Sequence, residues 1–198
     1  MYHTRIFLDT YTYIMFKDLI EGFVKDQIKN QITETIGVNN NKADGAIHDV
    51  IGSLIGGLAN NASKPEWANA LVSALDKDHD GSILDDAFAI MQSENKGEAI
   101  ISHILWDKSS GISQLIGAKN NIDSAQVQKI LAVIAPIVMG YLGKKKKEEW
   151  LGLDGIVSLL SGEKSAIAKD SAESPLVAFL DQDGDGDVDV MDFLKMAG

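Results

Sequence analysis

The sequence predicts an all-α protein, and three observations support this fold class. Apolar residues recur at helical spacing along most of the chain, proline occurs only three times, and aromatic residues make up 7% of the total. Long runs of Ala, Ile, Leu, Val, Gln and Lys with so few prolines favour helices over many short strands. We therefore expect two related multi-helix segments, each ending in an Asp-rich loop.

Length, cysteine content and charge limit the class of protein. With 198 residues, of which 45% are hydrophobic, the chain can bury a sizeable core. It contains no cysteine, so any metal ion would be held by oxygen atoms or by histidine. A formal net charge of −11 repels nucleic acids and anionic membranes and favours cations.

Residues 1–15 differ from the rest and are interpreted as an irregular N-terminal extension. They contain three of the four tyrosines. Asp9, Thr10 and Thr12 interrupt the apolar run that a signal peptide requires. Because no export signal is visible, a cytoplasmic location is the default expectation.

The first helical segment, residues 16–95, contains two clear amphipathic stretches, which both match one face of an α-helix. The first stretch comprises Phe16, Leu19, Ile20, Phe23, Val24, Ile28 and Ile32. The second comprises Ala46, Ile47, Val50, Ile51, Leu54, Ile55 and Leu58. Ser63-Lys64-Pro65-Glu66 is typical of a capping box and predicts a further helix through Leu75.

The second helical segment, residues 96–198, is centred on an apolar stretch from Ile130 to Gly143. Asp123 is predicted to cap this helix together with Gln126, and Pro136 is expected to kink or split it. A membrane span needs about 20 apolar residues, and this stretch is shorter. We therefore predict a buried core helix and no membrane span.

Glycines and a lysine run mark expected helix ends and surfaces. Gly37, Gly97, Gly117 and Gly143 lie where we expect helices to stop, since glycine favours the conformation that ends a helix. The lysines at 144–147 are predicted to form a solvated helix face, balanced by the acids that follow them.

An internal repeat relates the two segments. Ile36-Gly37-Val38-Asn39-Asn40-Asn41 reappears eighty positions later as Ile116-Gly117-Ala118-Lys119-Asn120-Asn121. In both copies an apolar helix, a tryptophan-bearing helix and an Asp-rich loop follow in the same order, with an insertion around residues 161–174 in the second. This shared order predicts two copies of one plan.

The strongest functional signal is an Asp-rich loop from Asp181 to Asp192. A twelve-residue calcium loop takes ligands from positions 1, 3, 5, 7 and 12 and turns at a glycine in position 6. The ligand positions here hold Asp181, Asp183, Asp185, Asp187 and Asp192. The pattern resembles an EF-hand loop, closer to the dockerin type, and predicts a calcium site that magnesium could also occupy. An acidic turn without metal is the alternative.

A second Asp-rich loop begins at Asp76 and matches only the first half of this pattern, with Gly81 at position 6 and apolar Ile83 at position 8, where such a loop is anchored on the core. Position 12 is Ala87, so we expect Asp86 to close the loop, unless another acid or a water molecule does so. The predicted ligands are Asp76, Asp78, Asp80, Ser82 and Asp86. Affinity should be weaker than in the C-terminal loop, and a metal-free turn is the alternative. His79 is expected to be a solvent-facing bystander.

The spacing of the two loops bears on what calcium would do. They lie more than a hundred residues apart, and the helix after the second is short. Neither property suits a paired EF-hand sensor that opens a target groove. Both suit calcium as a structural clip that fixes how helices end.

Other chemistry has little support in the sequence. It contains no phosphate-binding glycine loop and no HExxH or GxSxG pattern. His103 is predicted to be a core-edge histidine. Residues 112–131 look like a helix-turn-helix, with Lys119, Gln126, Gln128 and Lys129 as candidate DNA contacts. Ordinary helix packing is favoured for this stretch because the chain is acidic.

The same region carries a family resemblance. Ser124-Ala-Gln-Val-Gln-Lys-Ile-Leu131 followed by Ala135-Pro-Ile-Val-Met-Gly-Tyr-Leu-Gly143 resembles the bacterial YidB-like family of unknown function. The resemblance covers Phe16 to about Leu160. It implies an all-helical fold with a homeodomain-like helical core, and it supplies no activity and no catalytic residues.

These observations lead to one functional hypothesis and one alternative. We predict a non-enzymatic, calcium-binding structural or protein-interaction module, with a protein partner or a second copy of itself and with nucleic acid an unlikely ligand. The alternative is a DNA-binding regulator that uses the helix-turn-helix-like stretch.

Overall fold

The structure, a computed structural model, describes residues 15–170, and this part of the chain is all-helical, as predicted. Three short irregular helical turns separate some of the α-helices: a π-helical turn at Val24–Ile28 and 3₁₀ turns at Ser82–Asp85 and Trp106–Lys108. The α-helices are α1 (Phe16–Phe23), α2 (Lys29–Ile36), α3 (Asn40–Ala62), α4 (Pro65–Lys77), α5 (Ala87–Met91), α6 (Glu94–Leu105), α7 (Ser109–Asn120), α8 (Ser124–Glu148) and α9 (Leu153–Asp170).

The π-helical turn between α1 and α2 follows from the spacing of the buried residues. Those residues recur every fourth position and are at most 1% exposed: Phe16, Ile20, Val24, Ile28 and Ile32. An α-helix has 3.6 residues per turn, so a strict four-residue spacing rotates away from the core by about 40° at each step. The wider π turn counteracts this rotation and keeps one face on the core. Leu19, predicted to share this face, is 39% exposed.

The core is built around α3 and α8, which pack against each other. The predicted stripe of α3 is buried along its whole length, and α8 is buried on all sides from Ile130 to Gly140. A helix that is apolar all round must lie inside a bundle or a membrane. Within the described residues α8 is the helix long and apolar enough to cross a membrane, and most of its apolar window is covered by the other helices. This burial supports the core-helix prediction.

Pro136 does not split α8, so of the two expected effects, a kink or a split, the split is wrong. The helix is continuous from Ser124 to Glu148. Proline lacks an N–H and therefore leaves the carbonyl four residues earlier, that of Ala132, without its helical donor. Gly97 of α6 lies against this carbonyl, where a Cβ atom would collide with it. The close approach of α6 covers the site that proline disrupts.

Of the four glycines expected to end helices, only Gly37 does so. It has φ +77° and terminates α2. Gly97, Gly117 and Gly143 lie inside α6, α7 and α8. Each faces the backbone of a neighbouring segment at a distance that leaves no room for a side chain. These three glycines allow close packing rather than chain reversal.

The turns that lead into α3 and α8 are similar, but they correspond with an offset four residues larger than that of the predicted repeat. The carbonyl of Thr33 accepts hydrogen bonds from the N–H groups of Gly37 and Val38, and the carbonyl of Gly117 accepts them from Asn121 and Ile122. Both turns are Schellman motifs with a left-handed residue, Gly37 or Asn121. The equivalent residues are therefore 84 positions apart instead of eighty.

Each turn leads into an N-cap that starts a long helix. Asn39 Oδ1 accepts from the N–H of Asn41 at 2.9 Å, and Asp123 Oδ1 accepts from that of Ala125 at 2.7 Å. The predicted capping box of Asp123 and Gln126 is confirmed. The box predicted at Ser63 is wrong, because its hydroxyl donates to the carbonyl of Asn60 and Lys64 stands at the N-cap of α4.

Contacts between the two copies are reciprocal. The first copy is α2–α3–α4 and the second is α7–α8–α9. Helix α3 packs on α7 and α9, α8 packs on α2 and α4, and the last helices α4 and α9 pack on each other. If each helix is replaced by the corresponding helix of the other copy, the same set of helix–helix contacts results. A pseudo-two-fold arrangement has this property. Residues 161–170, predicted to belong to an insertion, continue α9.

Candidate functional site

The two Schellman turns face each other and are joined by a symmetric pair of hydrogen bonds. Lys42 Nζ donates to the carbonyl of Asn121 at 2.8 Å, and Gln126 Nε2 donates to that of Gly37 at 3.0 Å. Donors and acceptors are both 84 positions apart. The turns line an open cleft of about 530 Å³. Both donors are already bonded within the protein, and their hydrogen bonds across the cleft join the two copies.

The helix-turn-helix-like stretch exists as α7, a three-residue turn and α8, but two of its four candidate DNA contacts are used inside the protein. Lys119 donates to Asp49 Oδ1 at 2.7 Å, and Gln126 donates to the carbonyls of the facing turn. Gln128 and Lys129 are exposed. Asp49 is buried and also accepts from Asn120 at 2.8 Å, which ties α7 to α3.

A charged cluster connects α1 and α3. The ammonium of Lys17, which is only 4% exposed, donates to Glu21 Oε1 at 3.1 Å. The same carboxylate oxygen lies 2.9 Å from His48 Nδ1. The hydrogen bond and charge of Glu21 raise the pKa of His48 above its ordinary value, against partial burial and the nearby Lys17. Burial raises the pKa of Glu21, but its hydrogen bonds from His48 and Lys17 outweigh burial and lower it overall.

A buried carboxylate joins α9 to the start of α1. Glu163 is 2% exposed, and its two carboxylate oxygens accept from the backbone N–H groups of Phe16 at 2.7 Å and Lys17 at 3.1 Å. The first N–H groups of a helix have no partner within the helix. Glu163 therefore acts as an N-cap supplied from 147 positions away.

The first Asp-rich loop has part of the backbone shape that its sequence predicts. It begins at the C-terminal end of α4 and turns at Gly81, which has φ +97°. Ile83, at the position expected to anchor the loop, packs against Gly140 of α8. Gly81 and Ile83 thus determine how this loop turns and where it meets α8.

The carboxylates of this loop bind separate partners in the protein. Asp76 Oδ1 lies 2.5 Å from Lys146 Nζ, Asp80 Oδ1 accepts from the N–H of Ser82 at 3.0 Å, and Asp86 Oδ1 accepts from that of Ala89 at 3.1 Å. Asp78 is exposed at the end of α4. Across the described part of the chain, no three or more acidic or histidine side chains gather where they could hold a metal ion.

Two groups of this loop have shifted pKa values. The hydrogen bonds from the side chain and backbone of Ser82 lower the pKa of Asp80, helped by the charge of Lys147. His79 is half-buried instead of solvent-facing, and burial lowers the pKa of its imidazole. Asp80 therefore stays ionised while His79 stays neutral at neutral pH.

The C-terminal loop lies outside the described residues. Its five predicted ligands are Asp181, Asp183, Asp185, Asp187 and Asp192. Their assignment continues to rest on the sequence pattern alone.

Three aromatic side chains meet on the surface beside α6. Trp67 lies edge-on to Trp106, with ring centroids 5.6 Å apart, and to His103 at 6.5 Å. His103, predicted at the core edge, is exposed. Trp106 is 57% exposed and Trp150, at the end of α8, is 92% exposed.

Lys146 and Glu163 are the functional-looking residues that sequence reasoning missed. Lys146 was assigned to a solvated lysine run, although its side chain is only 16% exposed. It follows Met139 and Leu142 at the seven- and four-residue spacing of the buried face of α8, and that spacing could have revealed it. No local signal marks Glu163, because the N–H groups it caps are distant in sequence.

Comparison with known proteins identifies the family. No curated protein and no solved structure matches the chain. The sequence profile of a family of bacterial proteins of unknown function, DUF937, matches residues 18–145. Helix α9 lies beyond the matched region, yet its Ile156 and Leu160 are fully buried in the core. Since the match covers well over half of the chain, this protein belongs to the DUF937 family of bacterial proteins of unknown function.

Proposed function

We propose that this protein is a non-enzymatic, calcium-binding module with a structural or protein-interaction role, and that calcium is held by the loop from Asp181 to Asp192. The observation that carries the proposal is the sequence of that loop, in which every ligand position and the turning glycine match a calcium loop. Six aspartates within twelve residues repel one another, and a divalent cation relieves that repulsion.

The helical body provides a rigid base for such a loop. Helix α9 (Leu153–Asp170) precedes this loop in the sequence and is fixed to the body by buried Ile156 and Leu160 and by Glu163. A calcium loop attached to a fixed helix can have a structural role without opening a groove for a target, as a calcium sensor does. This arrangement favours calcium as a fastener for a binding surface or an assembly, with a protein or a second copy as the partner.

Isothermal titration calorimetry of the full chain with calcium and magnesium tests the proposal. We expect the wild type to bind calcium and Asp181→Ala to lose this binding. Asp154→Ala, an exposed acid at the start of α9, is the matched control and should bind as the wild type does. Equal heats for the wild type and Asp181→Ala would contradict the proposal.

Thermal unfolding is a second, independent test of calcium binding at this loop. A ligand present at a hundred times its Kd stabilises the folded state by about 2.7 kcal/mol if it does not bind the unfolded chain. We expect calcium to raise the melting temperature of the wild type and EDTA to lower it. A melting temperature that neither reagent moves would argue against a calcium-fastened fold.

One structural observation supports the DNA-binding alternative: α7 and α8 are separated by a turn of only three residues. The DNA-binding alternative would also rest on the resemblance to the YidB-like family, which implies a homeodomain-like core. Lys119 and Gln126 are engaged within the protein, so exposed Gln128 and Lys129 would have to supply the contacts. DNA binding would appear as a salt-dependent mobility shift weakened by Lys129→Ala, and a flat titration at low salt would dismiss it.

A further inference from the structure

The first Asp-rich loop sits in a groove of α8 that two glycines create. The carbonyl of His79 lies where a Cβ of Gly143 would be, and the side chains of Ile83 and Leu84 lie against Gly140. Gly81 itself is packed on the backbone and Cβ of Lys144. His79, Gly81, Ile83 and Leu84 therefore pack against the C-terminal half of α8.

The last turns of α8 carry the lysine run, and two of its members act on the loop. Lys146 Nζ lies 2.5 Å from Asp76 Oδ1, with the lysine side chain 16% and the aspartate side chain 59% exposed. The charge of Lys147 acts on Asp80. Lys145, by contrast, pairs with Glu149 on its own helix at 2.6 Å. The loop thus faces cations that belong to the protein.

We infer that Lys146 takes the place of a metal ion in the first Asp-rich loop, its ammonium joining the end of α4 to α8. Asp76 is position 1 of the predicted metal site, and binding of a metal would require it to leave Lys146. A divalent ion would also be placed next to the charges of Lys146 and Lys147, and like charges at such distances repel. The loop is accordingly a calcium-independent latch, whatever occupies the C-terminal loop.

Counting bound calcium ions distinguishes a latch from a metal site. We expect the full-length wild type and Asp76→Asn to bind the same number of calcium ions in a calorimetric titration. A metal site would instead lose one ion on the Asp76→Asn substitution, and that result would overturn the inference. Asp181→Ala run alongside reports the C-terminal loop separately, so failure of the calcium proposal and failure of the latch are distinguishable.

A double-mutant cycle in EDTA measures the latch itself. The full chain carries Asp76→Asn, Lys146→Met or both, and the cycle cancels the effect of removing an acid from the C-terminal end of α4. We expect the two substitutions to be coupled by about 1–3 °C in melting temperature, the range for a partly exposed ion pair in a chain of this size.

Lys145→Met is the matched control, since it removes a neighbouring lysine whose ion pair is with Glu149 on its own helix. It should show no coupling to Asp76→Asn. Strictly additive melting temperatures for Asp76→Asn and Lys146→Met, or an equal coupling for Lys145→Met, would overturn the latch.

Discussion

At the scale of single residues, Trp150 ends α8 in a backbone conformation that usually belongs to glycine. It has φ +54° and occupies the left-handed position of a Schellman turn, with the N–H of Leu151 donating to the carbonyl of Lys146 at 2.9 Å. Gly37 and Asn121 hold the same position at the ends of α2 and α7. A side chain other than glycine costs roughly 1–2 kcal/mol there, and a side chain that is 92% exposed recovers little of that by packing.

Replacing Trp150 by glycine should therefore stabilise the protein. Part of the gain is offset because glycine has more freedom in the unfolded chain, so we expect the free energy of unfolding to rise by about 0.5–1 kcal/mol. Urea denaturation measures the change. Trp150→Ala, which keeps the strained conformation, is the control and should show no such gain. Destabilisation by Trp150→Gly would mean that the indole makes stabilising contacts.

Individual residues also show how far the sequence could predict the candidate site. Gly81 and Ile83 were placed correctly, because a turn with positive φ and an apolar anchor leave a local pattern. The partner of Asp76 was missed, since Lys146 is 70 positions away and carboxylate spacing contains no information about a distant ammonium. The spacing of ligands shows which side chains could bind one metal ion. Only the tertiary structure shows that a lysine from another helix lies beside them.

At the scale of elements, α9 is attached to α1 by one buried side chain. Glu163 is 2% exposed and accepts hydrogen bonds from the backbone N–H groups of Phe16 and Lys17, the first two residues of α1. Removal of its carboxylate leaves two buried donors without partners, and such donors are costly. The contact thus links the element that leads to the C-terminal segment with the first helix of the described chain.

Glu163→Ala should lower the free energy of unfolding by about 1–3 kcal/mol, the range for lost helix caps and unsatisfied buried donors. Glu163→Gln keeps one acceptor oxygen and should lose less. Ser158→Ala, at an exposed position of α9, is the control and should change stability by less than about 0.5 kcal/mol. Urea denaturation provides all three values, and equal stabilities for Glu163→Ala and Ser158→Ala would contradict the capping role.

Helix positions were predicted well and helix ends less well, for a physical reason. Periodicity identified the buried stripe of α3, because a packed face must repeat along the sequence, and the continuous apolar stretch identified α8 as a core helix. Pro136 and Gly97 were misassigned because each was interpreted through its effect on its own helix. In the structure they act together, as the glycine of α6 lies on the carbonyl that the proline leaves without a donor.

At the scale of the whole molecule, each copy of the repeat completes its core with the other. Helix α3 packs on α7 and α9 and α8 packs on α2 and α4, so neither copy keeps its apolar faces covered alone. The repeat predicted from the sequence has an offset of eighty residues, whereas the two similar turns are 84 residues apart. Similar letters around Ile36 and Ile116 were aligned, whereas the structure aligns the turns at Gly37 and Asn121.

The two copies should consequently unfold together. We expect calorimetry to show one transition for the helical body, with equal calorimetric and van't Hoff enthalpies. Native-state hydrogen exchange should give the most protected amides of α3 and α8 the same free energy of opening. Separate free energies for α3 and α8 would show that the copies are independent units.

The hydrogen bonds that join the two turns have an evolutionary consequence. Lys42 and Gln126 occupy equivalent positions and bind equivalent backbone carbonyls, yet one side chain is charged and the other is neutral. A carbonyl is present whatever residue carries it, so any side chain that reaches it with an N–H can serve. After a duplication, the two halves could therefore accumulate different residues while their contact was preserved. A sequence alignment does not detect a common ancestry after divergence of this kind, whereas the similar backbone turns still reveal it.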